Sequence, residues 1–208
     1  MPAPDTLIQF FLVSLVLGLA PGPDNIYVLT QSAIQGRSAG VAVTMGLCTG
    51  LIVHTSLVAL GVAAIIKASA PLFLLLKIGG AVYLLYLAYQ ALRAEGSAIG
   101  TGSGTSIAYR DLYVRGVLMN ISNPKVSIFF LAFLPQFVRT EGAAVPQQML
   151  FLGGVFILAT LLVFNGIALG AAFFARRLRN SRTAQVVLYR ITGAVFAYLA
   201  LRLLAYDI

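Results

Sequence analysis

An acid and a base, Asp24 and Lys125, lie inside long apolar runs of this sequence, each directly after a proline: Pro21-Gly22-Pro23-Asp24-Asn25 and Ser122-Asn123-Pro124-Lys125. An offset of 101 residues carries Pro23 to Pro124 and Asp24 to Lys125, so opposite charges fall at equivalent places in the two halves. Held away from water, such a pair can neutralise itself or bind the two ends of a zwitterion. A proline inside a helix removes a backbone hydrogen bond and costs about 3 kcal/mol or more. An ionisable residue at the centre of a membrane helix costs about 2.5–3.5 kcal/mol on insertion scales. Both costs recur together, and ionisable groups beside unwound backbone mark substrate or ion paths. Asn123 is placed to cap, and Pro124 to begin, a new half-helix; Gly22 and Pro23 repeat the arrangement, with Gly22 permitting a sharp turn. The free N–H groups of such half-helices suit a carboxylate, Lys125 adds a full positive charge, and Asp24 complements an ammonium.

Other reactive side chains are few. His54, the sole histidine, falls near the centre of the second apolar run. Its unperturbed pKa near neutrality suits a proton relay, and its ring suits a hydrogen bond to a facing helix. Asp24 and His54 are therefore the proton-coupling candidates. Asn165 reads as a hydrogen bond across a bundle, Tyr83, Tyr86 and Tyr89 as packing or interfacial anchors, and Lys77 and Arg190 as side chains that snorkel. Cys48 is the single cysteine, which excludes an internal disulfide and dithiol redox chemistry. Asp24, His54 and Cys48 show no helical metal-ligand spacing, so no metal site is expected. No phosphate-binding loop is present, so an ion gradient is the expected energy source. No nucleophile, base and orienting group can be placed together, and neither enzymatic activity nor a cofactor is expected.

The elements that must hold these residues are membrane helices. Of 208 residues, 60% are hydrophobic and 10% charged, against about a quarter charged in soluble domains. Six apolar stretches, approximately 7–32, 40–67, 72–92, 112–137, 148–176 and 184–205, are each long enough to cross a hydrocarbon core of roughly 30 Å. They are continuous rather than alternating, which predicts helices and not barrel strands, hence an all-α integral membrane protein. The first stretch lacks a basic leader and has Pro21 after Ala20, so it reads as a retained span rather than a signal peptide. The formal charge of +8 resides in short loops, the pattern of membrane topology rather than of a nucleic-acid partner. Arg37, Arg93, Arg110, Arg115, Arg176, Arg177, Arg179 and Arg182 fall on one side, against Lys67, Arg139 and Arg202 on the other. The richer side is expected to be cytoplasmic, with both termini opposite.

The runs Lys77-Ile-Gly-Gly-Ala-Val-Tyr83 and Arg190-Ile-Thr-Gly-Ala-Val-Phe196 match at four of seven positions, at an offset of 113. Three spans separate each element from its counterpart, so the halves face opposite ways. The expectation is two inverted three-helix repeats, residues 1–94 and 111–208, joined by a linker at 95–110 that is rich in Gly, Ser and Thr. Broken first and fourth helices would then meet at the membrane midplane. Gly46, Gly50, Gly61, Gly79, Gly80, Gly153, Gly154 and Gly193 read as close-packing positions between helices.

The segment Leu-Ala-Pro-Gly-Pro-Asp-Asn at 19–25 and the segment Asn-Ile-Ser-Asn-Pro-Lys-Val-Ser-Ile-Phe-Phe-Leu-Ala-Phe-Leu-Pro-Gln-Phe at 120–137 resemble the LysE/RhtB family of small bacterial amino-acid exporters, and the likeness extends over essentially the whole chain. The resemblance implies secondary active export of an amino acid or close derivative across the bacterial inner membrane, by exchange with protons. It carries over to Pro21, Gly22, Pro23, Asp24, Asn123, Pro124 and Lys125 as substrate-binding positions. With a single intramembrane acid, a neutral zwitterion is the expected cargo rather than a dibasic one. The alternatives are a metal or inorganic ion permease of the same architecture and a membrane assembly subunit without a transport cycle. A homodimer is compatible with so small a bundle, though no residue demands one.

Overall fold

The computed structural model describes residues 2–68, 70–94, 106–139, 143–171, 173 and 181–205. It is helical throughout these residues, with no strand among them. Helices α1 (Pro4–Leu19) and α2 (Pro23–Gln35) form a pair bent by 63°, followed by the long α3 (Arg37–Ala68) and α4 (Ala70–Arg93). The order then recurs. Helix α5 (Tyr109–Ile121) and the segment Pro124–Phe137 are bent by 49°, followed by α7 (Val145–Leu169) and α8 (Arg182–Ala205). Counting each bent pair as one span gives up to six membrane crossings, so the expected integral membrane bundle is present with its first and fourth spans broken. Residues 95–105 of the predicted 95–110 linker, the basic cluster at 176–179 and the end of the fifth stretch lie outside the described residues, and Tyr109 and Arg110 already belong to α5.

Each break sits where proline withdraws a donor. Pro23 and Pro124 occupy the first helical positions of their half-helices, where a missing N–H costs nothing. The second half of the fourth span is less regular than expected. It begins as α6 (Pro124–Ile128), widens into a π-helical turn over Phe129–Phe133 in which Leu134 N–H donates to Phe129 O, and tightens into a 3₁₀ turn over Leu134–Phe137. Pro135 explains the change of pitch, because it cannot continue the i→i−4 ladder. Gly36, at φ 87°, ends α2 in a conformation that favours glycine, letting α3 start at the next residue.

Packing exchanges partners between the halves. Helix α5 lies along α3 and α1 along α7, so the first segment of each half rests on the first long helix of the other; α3 packs on α7 and α4 on α8. At the α3–α5 crossing, Gly46 and Gly116 face each other so closely that a Cβ on Gly46 would strike Tyr113 O, and one on Gly116 would strike Val43 O. Gly153 makes room for Thr55, Gly50 for Asn120, Gly80 for Ala132 and Gly193 for Leu92. The equivalent pair Gly80 and Gly193 both lie in the α4–α8 contact, Gly80 beside Leu203 and Gly193 beside Ala88. Three expected packing glycines are otherwise: Gly61, Gly79 and Gly154 have nothing within 4 Å of a built Cβ.

The interior divides into two apolar clusters. One gathers Phe10, Phe129, Phe130, Phe133, Phe137 and Phe156 with their aliphatic neighbours. The other is smaller and mostly aliphatic, built from Val28, Ala39, Val43, Leu47, Leu112, Val163, Phe164 and Ala168. Polar side chains from both breaks lie between them.

Candidate functional site

Pro21 has no N–H, so the carbonyl of Leu17, four residues earlier, loses its helical donor, and Pro23 does the same to Leu19. Side chains around the break supply donors to three of its carbonyls, those of Leu17, Gly18 and Ala20. Lys125 Nζ donates to Ala20 O at 3.1 Å and Leu17 O at 3.4 Å, and Asn25 Nδ2 donates to Gly18 O at 2.6 Å. Pro124 likewise deprives Asn120 O of its i+4 donor. That carbonyl accepts from Asn123 N–H at 3.0 Å and has His54 Nε2 at 3.1 Å. A carbonyl oxygen only accepts, so the His54 hydrogen sits on Nε2. Its ring also lies 5.8 Å from that of Phe130.

Asn123 joins the two breaks. Its Oδ1 accepts from Lys125 N–H at 3.0 Å, the N-cap bond expected of it, and its Nδ2 donates to Asp24 Oδ2 at 2.8 Å. Asp24, Asn123 and Lys125 are all buried, at 4%, 4% and 9% exposure, which places both charges inside the bundle. They do not hydrogen-bond each other. Asp24 Oδ1 has no hydrogen-bond partner, and the Lys125 ammonium is directed to the end of α1 instead. Both line one cavity with Leu17, Gly18, Asn120 and Thr160, walled by Leu47, Leu51, Val126, Phe156 and Phe164. Its free volume is about 20 Å³, room for about one water molecule.

The expected residues separate into those that line the site and those that shape it. Asp24, Asn123 and Lys125 converge. Gly22 is half-buried and extended (φ −160°, ψ 178°), a conformation open to any residue, so a sharp turn is not its purpose. A Cβ there would instead lie 3.2 Å from Lys125 Nζ. Pro21 is half-buried, whereas Pro23 and Pro124 are exposed. His54 meets the second break and not Asp24. Asn165, expected to bridge helices, has its Oδ1 buried without a hydrogen-bond partner. Lys77 is buried rather than snorkelling, while Arg190 is exposed and Tyr86 and Tyr89 face outward.

Asn25, Asn120 and Thr160 are additional site residues that sequence reasoning did not assign. The two asparagines sit within the proline motifs themselves, and an amide beside a stripped carbonyl was the available signal. Thr160 carried none, since hydroxyls in membrane helices commonly bond their own backbone. No group of three or more His, Cys, Asp or Glu side chains able to hold a metal is found among the described residues.

Comparison with known proteins gives consistent matches. The family model described as LysE type translocator matches residues 15–207. The chain is 31% identical over 195 residues to the homoserine/homoserine lactone efflux protein of Salmonella typhimurium, covering 90% of this chain and 94% of that one. It is 35% identical over 171 residues to an uncharacterized membrane protein of Pseudomonas aeruginosa, covering 77% and 79%. It is 25% identical over 195 residues to the leucine efflux protein of Salmonella choleraesuis, covering 93% and 92%. No solved structure matches the chain.

Proposed function

Because the chain belongs to the LysE type translocator family, we propose that it exports a neutral amino acid or close derivative across the bacterial inner membrane in exchange for protons. The observation that carries this reading is the meeting of Asp24 and Lys125, from two separate helix breaks, on one buried cavity. A zwitterion presents the complementary charges. Asp24 takes the ammonium; Lys125, with the N–H groups that begin α2 and the segment Pro124–Phe137, takes the carboxylate. The apolar walls from Leu47, Leu51, Phe156 and Phe164 suit a cargo side chain without charge. Efflux of homoserine and its lactone, and of leucine, by two relatives supports the same class.

Asp24 carries the coupling proton in this reading, since its Oδ1 has no hydrogen-bond partner while the His54 Nε2 hydrogen is committed to Asn120 O. The halves 1–94 and 111–208 act as inverted repeats that rock about the site, an arrangement supported by their repeated element order and exchanged packing. The Arg37, Arg110 and Arg115 face is cytoplasmic and both termini are opposite. The test is counterflow in proteoliposomes with a panel of labelled amino acids under an imposed pH gradient. Asp24→Asn and Lys125→Ala should each abolish it, and unchanged counterflow in both variants would remove the assignment.

A further inference from the structure

We propose that the carbonyls of Leu17 and Ala20, together with the Asp24 carboxylate, form a binding site for a primary ammonium group, and that Lys125 fills it as a tethered stand-in until cargo displaces it. The inference deepens the exporter reading by naming the atoms that receive the cargo's amine, and it rests on that reading only for the cargo's identity.

The site follows from the backbone. A helix end leaves its last carbonyls without intrahelical donors, and Pro21 removes the N–H that would have continued the ladder to Leu17 O. Inside a bilayer such carbonyls need a partner, because water is not there to supply one. The one they have is a primary ammonium: Lys125 Nζ lies 3.1 Å from Ala20 O and 3.4 Å from Leu17 O. Gly22 leaves the space, since a Cβ would come within 3.2 Å of Nζ and 3.8 Å of Cε. Asp24, on the same cavity, retains an oxygen without a hydrogen-bond partner, so the negative side of the site is complete without being spent.

Lys125 Nζ already occupies both carbonyls, so cargo and Lys125 compete for them. A zwitterion exchanges like for like. Its ammonium takes Leu17 O and Ala20 O, and the displaced Lys125 finds the cargo's carboxylate. A simple amine offers only the first half of the exchange and strands Lys125 as a buried charge without a partner, which a low-dielectric interior disfavours. The requirement for both charged ends thus arises from one lysine, and no covalent change is needed for the swap.

Removing the stand-in should expose the site. Purified Lys125→Ala protein in nanodiscs is titrated with n-propylamine and, separately, with 2-aminobutyrate, following thermal unfolding and calorimetric heat; the wild type is titrated in parallel. The expected result is saturable stabilisation of Lys125→Ala by the amine, at least tenfold tighter than any response of the wild type, with the order reversed for 2-aminobutyrate. Lys125→Met, which keeps most of the stem's length and carries no donor, supplies the same comparison if the alanine variant does not fold. Equal responses to the amine in wild type and variant, or none in either variant, overturn the proposal. Wild-type counterflow separates the two readings. Amine binding by the variant with no amino-acid transport by the wild type leaves the ammonium site standing and removes the cargo; transport with amine-blind variants does the opposite.

Discussion

Asn123 reaches from one broken span to the other, donating through Nδ2 to Asp24 Oδ2 at 2.8 Å while its Oδ1 accepts from Lys125 N–H at 3.0 Å. One side chain thereby starts a half-helix and orients the acid of the opposite break. The two roles tie the relative register of the breaks to one residue.

Replacing Asn123 separates these roles. Asn123→Ala loses the cap, about 1 kcal/mol, and leaves a buried carboxylate oxygen without its donor, about 1–3 kcal/mol. Its thermal unfolding midpoint in detergent should fall accordingly, and transport with it. Asn123→Ser keeps a capping oxygen and should recover the first part of the stability but not the transport.

His54 offers a test of whether its ring moves protons or only satisfies a carbonyl. Its Nε2 is engaged with Asn120 O, which Pro124 leaves short of a donor. His54→Gln supplies an N–H of similar reach and should retain counterflow with an unchanged pH profile. His54→Phe, which leaves that carbonyl with one donor fewer, should lower stability by about 1–3 kcal/mol. A flattened pH profile in the glutamine variant would instead assign His54 to the proton path.

Glycines divide by what they face. Gly46→Ala and Gly116→Ala drive a methyl into a backbone carbonyl of the neighbouring helix and should destabilise by roughly 1–3 kcal/mol, or more where the helices cannot separate. Gly154→Ala meets nothing within 4 Å and should be neutral or slightly stabilising, because alanine is the better helix former. Fluorescence-detected size-exclusion melting curves of the three variants check the order.

The contrast shows what the sequence could and could not disclose. Proline's missing N–H is a local property, so both breaks, the Asn123 cap and the start of each half-helix were legible from Pro21, Pro23 and Pro124. Composition likewise exposed the membrane helices. What a break's orphaned carbonyls recruit is a tertiary matter. The sequence shows Lys125 beside its own break, yet its side chain serves the end of α1, 108 and 105 residues away along the chain. Gly22, expected to permit a sharp turn, is extended and leaves clearance for that ammonium, and the π-helical turn before Pro135 belongs to a run whose apolar residues read as an ordinary helix. Glycine spacing alone could not tell Gly153, pressed on Thr55, from Gly154, pressed on nothing.

The two apolar clusters predict which side of the site opens with less disruption. Between the polar layer and the side bearing Arg139 stand the rings of Phe10, Phe129, Phe133 and Phe137, with centroid separations of 5.0 to 6.1 Å among neighbours. Toward Arg37 and Arg110 the seal is the smaller, mainly aliphatic cluster of Val28, Val43, Leu47, Leu112 and Val163. Aromatic pairs add about 0.5–1.5 kcal/mol each beyond their buried area, so parting the ring cluster costs more. The resting protein should therefore admit reagents from the arginine-rich face first. In a Cys48→Ser background, a cysteine at Leu47 should react with a membrane-permeant maleimide faster than one at Phe133, and added cargo should slow the first. Faster labelling at Phe133 would place the weaker seal on the aromatic side and reverse the order of opening.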